Sequence, residues 1–143
     1  MCLKTSVFLI IGVVLCLSHL SSCQNWETFK SKHIRDSPIN CDSAMNNSIF
    51  IIQNRCKRLN TFIISDPDTV QAICSRVPGR SNVTSPTSFQ LINCIRNSDI
   101  TPPCPYTSSD ENSVICITCE RTLPVHFVKV GKCSAAEQKH GLL

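Results

Sequence analysis

Three short segments hold the residues that could do chemistry. They are Phe29-Lys30-Ser31-Lys32-His33-Ile34, Cys56-Lys57-Arg58-Leu59-Asn60-Thr61-Phe62 and Pro124-Val125-His126-Phe127-Val128. Together they supply two histidines and a lysine. An imidazole titrates near pH 6.5 (about), so one ring of a pair can serve as a base while the other serves as an acid. A cation beside them stabilises negative charge that builds up in a transition state. Base, acid and cation are the minimum set for breaking a phosphodiester next to a hydroxyl group without a metal. His140 lies in a polar stretch at the end of the chain and is assigned no role.

The first 23 residues stand apart. Lys4 is followed by the apolar run 7–17, and Ser21-Ser22-Cys23 offers small residues for a signal peptidase. This is the pattern of a secretory leader cleaved between Cys23 and Gln24, and the apolar run is too short for a membrane anchor. A secreted protein is expected, with one domain from Gln24 onward. An N-terminal Gln24 would cyclise to pyroglutamate.

Of eleven cysteines, three (Cys2, Cys16, Cys23) lie in the leader. The other eight are Cys41, Cys56, Cys74, Cys94, Cys104, Cys116, Cys119 and Cys133. An even set in a small secreted domain implies a disulfide framework, but on the order of a hundred pairings are possible and spacing alone does not choose. Cys116-Ile117-Thr118-Cys119 has no second such pair and no histidine at ligand spacing, so no metal site and no cofactor are expected. The formal net charge is +4, or about +3 without Lys4. That favours an anionic partner weakly and is low for a protein that coats membranes or binds nucleic acid by charge alone.

The elements that must position these residues follow from patterning. Residues 25–34 form an amphipathic helix with Trp26, Phe29 and His33 on one face. A short helix is expected over 42–47. Asp66 and Pro67 are a helix N-cap and first position, continuing through 76 with Val70, Ile73, Cys74 and Val77 inward. Strand-like runs occupy 61–64, 88–94, 113–120 and 125–130. Short helices followed by a long, bent antiparallel β-sheet make an α+β domain. Asn46-Asn47-Ser48 and Asn82-Val83-Thr84 are sequons for N-glycans, with Asn82 expected in a Ser/Pro/Thr-rich loop.

The three segments and the cysteine ladder, taken in order from Gln24 to Cys133, resemble the pancreatic-type ribonuclease (RNase A) superfamily, in its amphibian onconase-like branch. Lys32-His33-Ile34 is similar to the family's N-terminal histidine motif. Cys56-Lys57-x-x-Asn60-Thr61-Phe62 matches its CKxxNTF signature, and Pro124 to Val128 its C-terminal histidine strand. The resemblance implies His33 as general base, His126 as general acid, Lys57 as transition-state stabiliser and the Phe127 backbone N–H as a helper. It implies that Thr61 reads a pyrimidine base and that Lys32, Arg58, Leu59, Asn60 and Phe127 also meet the substrate, single-stranded RNA. It further implies the disulfides Cys41–Cys94, Cys56–Cys104, Cys74–Cys119 and Cys116–Cys133 in a monomer of RNase A-like fold.

Two features depart from that pattern. Residues 134–143 extend beyond the last cysteine and read as a flexible tail. The charge is lower than in strongly basic cytotoxic members; Lys32, Lys57, Arg58, Lys129 and Lys132 are left to make a local positive cleft. Two other functions stay open on sequence: a lectin binding sialic acid or other cell-surface glycans on the same scaffold, and a host-defence protein acting on anionic membranes. Neither needs both histidines and the lysine.

Overall fold

The computed structural model describes residues 25–140, with side chains through 138. The leader 1–23 and the pyroglutamate expected at Gln24 lie outside the described residues.

Helix α1 spans Trp26–His33. Asn25 caps it by accepting a hydrogen bond from the Thr28 N–H at 2.9 Å, and Glu27 sits in its first turn where the helix dipole favours an acid. It buries Phe29 and His33. The helix stops because the next two residues join a sheet: β1 (Ile34–Arg35) runs parallel to β4 (Leu59–Ile64), with Ile34 opposite Ile63. Helix α2 (Cys41–Met45) is capped by Asn40. A hairpin, β2 (Ile51–Ile52) and β3 (Arg55–Cys56), turns through Gln53 and Asn54, both at positive φ. That is the backbone a two-residue hairpin loop demands.

Asp66 caps α3 (Pro67–Gln71) with Pro67 in the first turn, as the sequence predicts. The expected continuation to residue 76 is shorter: a 3-10 turn over Ala72–Cys74 tightens the end and puts Cys74 in the core.

The remaining strands are β5 (Arg80–Thr84), β6 (Phe89–Arg96), β7 (Tyr106–Ser113), β8 (Ile115–Glu120) and β9 (Leu123–Val130). β5 pairs with β8 and β6 with β7, so two long stretches of chain form one ribbon that bends at residues 85–88 and at Val114. The bend divides the expected long sheet in two. One sheet has the order β1-β4-β6-β7, and the other β5-β8-β9. Successive residues of a strand face opposite ways. In β4, Phe62 enters a core with Met45, Phe50 and Ile92, while Ile63 enters another with Phe29, Leu91 and Ile117. The first sheet is thus packed on both faces.

The four disulfides are those the resemblance implies. Cys41–Cys94 joins α2 to β6, Cys56–Cys104 joins β3 to the chain before β7, Cys74–Cys119 joins the 3-10 turn to β8, and Cys116–Cys133 joins β8 to the chain after β9. Such bonds typically stabilise a small domain by about 2–4 kcal/mol each.

Part of the tail expected to be flexible is helical instead. Helix α4 covers Ala135–His140. Ser134 and Glu137 cap it reciprocally: the Glu137 carboxylate accepts from the Ser134 N–H at 2.6 Å, and the Ser134 hydroxyl accepts from the Glu137 N–H at 3.2 Å. Glu137 also meets Lys129 of β9 at 3.3 Å. The Asn82 side-chain amide donates to the Glu137 carbonyl at 2.5 Å. Asn82 is therefore in strand β5 under a helix, not in a loop. Its other side-chain atom accepts from the Thr118 hydroxyl at 2.7 Å. Asn46 is similarly engaged, donating to the Asp42 and Cys104 carbonyls and accepting from the Cys104 N–H. A glycan takes one of the two hydrogens of an asparagine amide, so at Asn46, which donates twice, one of those bonds must break.

Two isoleucines measure how much of the stability lies in packing. Ile63 is wholly buried between α1 and the sheet, whereas Ile52 is 68% exposed on its hairpin. Ile63→Ala is expected to lower the free energy of urea unfolding by about 2–5 kcal/mol, and Ile52→Ala by less than about 0.5 kcal/mol.

Candidate active site

A cleft of about 650 Å³ opens between α1, β4 and β9. Lys32, His33, Lys57, Leu59, Asn60, Thr61, His126 and Phe127 all line it, although they come from three distant parts of the chain. Arg58 is the exception among the expected residues. It lies exposed outside the lining, and its carbonyl accepts from the Arg96 N–H at 2.8 Å. Lys129 lines the cleft and Lys132 does not.

His33 closes α1 and is 8% exposed. Its Nδ1 lies 2.8 Å from the Thr61 carbonyl. A carbonyl only accepts, so Nδ1 carries the hydrogen and Nε2 keeps its lone pair. The ring is stacked on Phe127 (centroids 5.0 Å apart) and rests against Phe29 at 5.2 Å. Burial pushes the imidazole down from 6.5 to about 3, against the Thr61 bond, which raises it; Lys57, Lys32 and His126 lower it further. His33 is therefore neutral at physiological pH and able to take a proton.

His126 projects from β9, where β-bulges flank the pair His126–Phe127. Ile117 faces Phe127 and Thr118 faces His126, with one residue of β9 left over on each side. Bulges re-aim side chains, and here they put both rings of this pair at the cleft. His126 is exposed, and its imidazole is held below the usual value by partial desolvation and by the charges of Arg80, Lys57 and Lys32. It gives up a proton more easily than an ordinary histidine.

Lys57 is held from several sides. Its N–H donates to the Phe50 carbonyl at 2.9 Å, its carbonyl accepts from the Tyr106 hydroxyl at 2.5 Å, and its neighbour Cys56 is tied to Cys104. Its ammonium donates to Asn60 Oδ1 at 3.1 Å, while Asn60 Nδ2 donates to the Lys32 carbonyl at the end of α1 at 2.8 Å. Asn60, 2% exposed, thus fixes the lysine relative to the helix that carries His33. Desolvation, then Lys32, lowers the Lys57 amine.

A family model described as pancreatic ribonuclease matches residues 24–128. The chain belongs to the pancreatic ribonuclease family. The oocytes ribonuclease of Aquarana catesbeiana is 52% identical to it over 134 residues, 93% of this chain and 99% of that protein. The structure of amphinase, a cytotoxic ribonuclease from Rana pipiens oocytes, superimposes with a TM-score of 0.68 at 41% identity, covering 76% of this chain and 98% of that one. A cytotoxic ribonuclease from Rana catesbeiana, solved with d(ApCpGpA) and (2′,5′CpG), gives 0.67 at 38% identity, covering 77% and 99%. The RNase A-like fold, the ribonuclease activity and the onconase-like amphibian branch follow for this chain.

Sequence reasoning missed two residues of this ribonuclease's site. Asn93 of β6 lines the cleft opposite Thr61, and its Oδ1 accepts from the Thr61 hydroxyl at 2.6 Å. Glu111 of β7 accepts from Asn93 Nδ2 at 2.7 Å. A signal existed for the first: Asn93 interrupts the apolar run Leu91-Ile92-x-Cys94, and a buried amide needs partners. Among the described residues, no three His, Cys, Asp or Glu side chains converge to hold a metal ion.

The buried neutral His33 links folding to pH. Unfolded, it takes a proton below about 6.5; folded, only near 3. Between those values the unfolded state binds more protons, so stability falls as pH drops through that window. Chemical-shift titration of the two imidazoles should find His33 uncharged from pH 8 to 4 and His126 titrating below 6.5. Adding a nucleoside monophosphate should move both upward, since an anion favours the charged ring.

Proposed function

We propose that this ribonuclease is secreted, acts as a monomer, and cuts single-stranded RNA on the 3′ side of pyrimidines through a 2′,3′-cyclic phosphate. The observation that carries this reading is the state of His33. Its Nδ1 is committed to the Thr61 carbonyl, its Nε2 is a lone-pair base, and it shares a cleft with His126 and Lys57.

In the first step His33 Nε2 takes the proton of the 2′-hydroxyl, and the oxygen attacks phosphorus. The bond to the 5′-oxygen breaks, and protonated His126 gives that leaving oxygen a proton. Lys57 and the Phe127 N–H stabilise the negative charge on the phosphoryl oxygens in between. Neutral His126 then activates water against the cyclic ester, and protonated His33 returns its proton to the 2′-oxygen. No cofactor takes part. Thr61 reads the base through its hydroxyl and N–H, Leu59 contributes apolar surface, and Lys32 contacts phosphate.

The test is incubation of the folded protein with poly(U), poly(C) and poly(A) in EDTA. Cyclic-ended fragments are expected from the two pyrimidine polymers. His126→Ala should lower kcat/KM by at least about 10²-fold and Lys57→Ala by about 10²–10³-fold. Undiminished cleavage by His126→Ala, or a requirement for added metal, overturns the mechanism. The bell-shaped profile of kcat should lie at higher pH than that of kcat/KM, because bound phosphate raises both imidazoles.

A further inference from the structure

The hydrogen bonds running from Thr61 through Asn93 to Glu111 have a direction, and the direction bears on which pyrimidine is cut. Thr61 and Asn93 are 6% and 9% exposed and face each other across β4 and β6. Glu111 stands on β7 opposite Leu91, one step along the same face of the sheet, and reaches Asn93 diagonally. A carboxylate only accepts, so it must face the NH2 of the Asn93 amide. The amide oxygen is then turned to Thr61, and because that oxygen also only accepts, the Thr61 hydroxyl must donate to it. Glu111 thus sets the orientation of both groups. Without it the amide can turn over, and the hydroxyl can point either way.

With its hydrogen committed to Asn93, the Thr61 hydroxyl offers the cleft lone pairs. Uracil carries a hydrogen on ring nitrogen 3, and cytosine carries a lone pair there. Uracil can donate to the waiting hydroxyl with nothing rearranged. Cytosine needs the hydroxyl to donate, which strips Asn93 Oδ1 of its partner in a buried position, and leaving a buried acceptor unpaired is unfavourable. We propose that Glu111, acting through Asn93, is a positioning residue that biases this ribonuclease toward cutting after uridine rather than cytidine. The inference rests on the reading of Thr61 as the base-contacting residue.

The experiment is kcat/KM for UpA and CpA, taken as a ratio within each variant so that any difference in folded fraction cancels. Wild type is expected to favour UpA by roughly tenfold, about 1.4 kcal/mol. Glu111→Ala should shrink the ratio several-fold. Glu111→Lys should shrink it most or invert it, because an ammonium only donates and draws the Asn93 oxygen toward itself, turning the NH2 to Thr61 and freeing that hydroxyl to donate into the cleft. A wild-type ratio at or below one, or a Glu111→Lys ratio within twofold of wild type, overturns the proposal. Thr61→Val separates it from the reading beneath it. If Thr61→Val leaves both substrates unaffected, the base-reading role of Thr61 itself fails. If Thr61→Val lowers both while Glu111→Lys leaves the ratio alone, only the role of Glu111 fails.

Discussion

The hydrogen bond from His33 Nδ1 to the Thr61 carbonyl ties the helix α1 to the strand β4 at a buried point. It chooses the tautomer of the ring. It also holds the imidazole at a set distance from Thr61, which lines the same cleft. The parallel pairing of Ile34 with Ile63, immediately past the helix, prevents α1 from sliding along β4, and Asn60 repeats the connection from the lysine side. In water the ring would take up a proton below about pH 6.5; cover by Phe29 and Phe127 keeps it neutral further down. Helix, strand and the bulged strand β9 are therefore interdependent through one imidazole.

What could be read in the sequence was whatever is encoded locally. Asp66-Pro67 announces a helix start because capping and a fixed proline φ act within one turn. The apolar runs in β4, β6, β8 and β9 announce strands because their residues pack. β7 gave no such sign: Tyr106 to Ser113 is almost entirely polar, since the strand lies at the edge of its sheet and is held by backbone pairing to β6. β5 was hidden in the same way, behind a neighbouring Pro-Gly pair and a Ser/Thr-rich composition. α4 was missed although Ser134-x-x-Glu137 is a capping box, because no apolar periodicity follows it. In the site, the two histidines and the lysine carry their chemistry in their identity. Asn93 and Glu111 acquire theirs from register, and no local pattern states which residue of β6 or β7 will lie beside Thr61.

Two cores, one on each face, hold the strand β4 that lines the cleft. Phe62 and Ile63 send neighbouring side chains into opposite layers, so β4 cannot shift without disturbing both. The disulfides fasten the margins, where short elements bury little: α2, the 3-10 turn, the chain before β7 and the chain after β9 each have one. Packing fixes the middle of the sheet and covalent bonds fix what surrounds it. Lys57 lies at the junction, with Cys56 beside it and Tyr106 on its carbonyl.

His33 and His126 lie near opposite ends of the described chain, on α1 and on the last strand. During synthesis the chain therefore passes through a range of lengths at which it already has His33, Lys57 and Thr61 but not His126. Even after His126 is made, it must pair with β8 before it faces the cleft, and the bond from Cys116 must wait for Cys133. A chain that cuts RNA is thus made from RNA with its cleft incomplete until β9 has been added and paired.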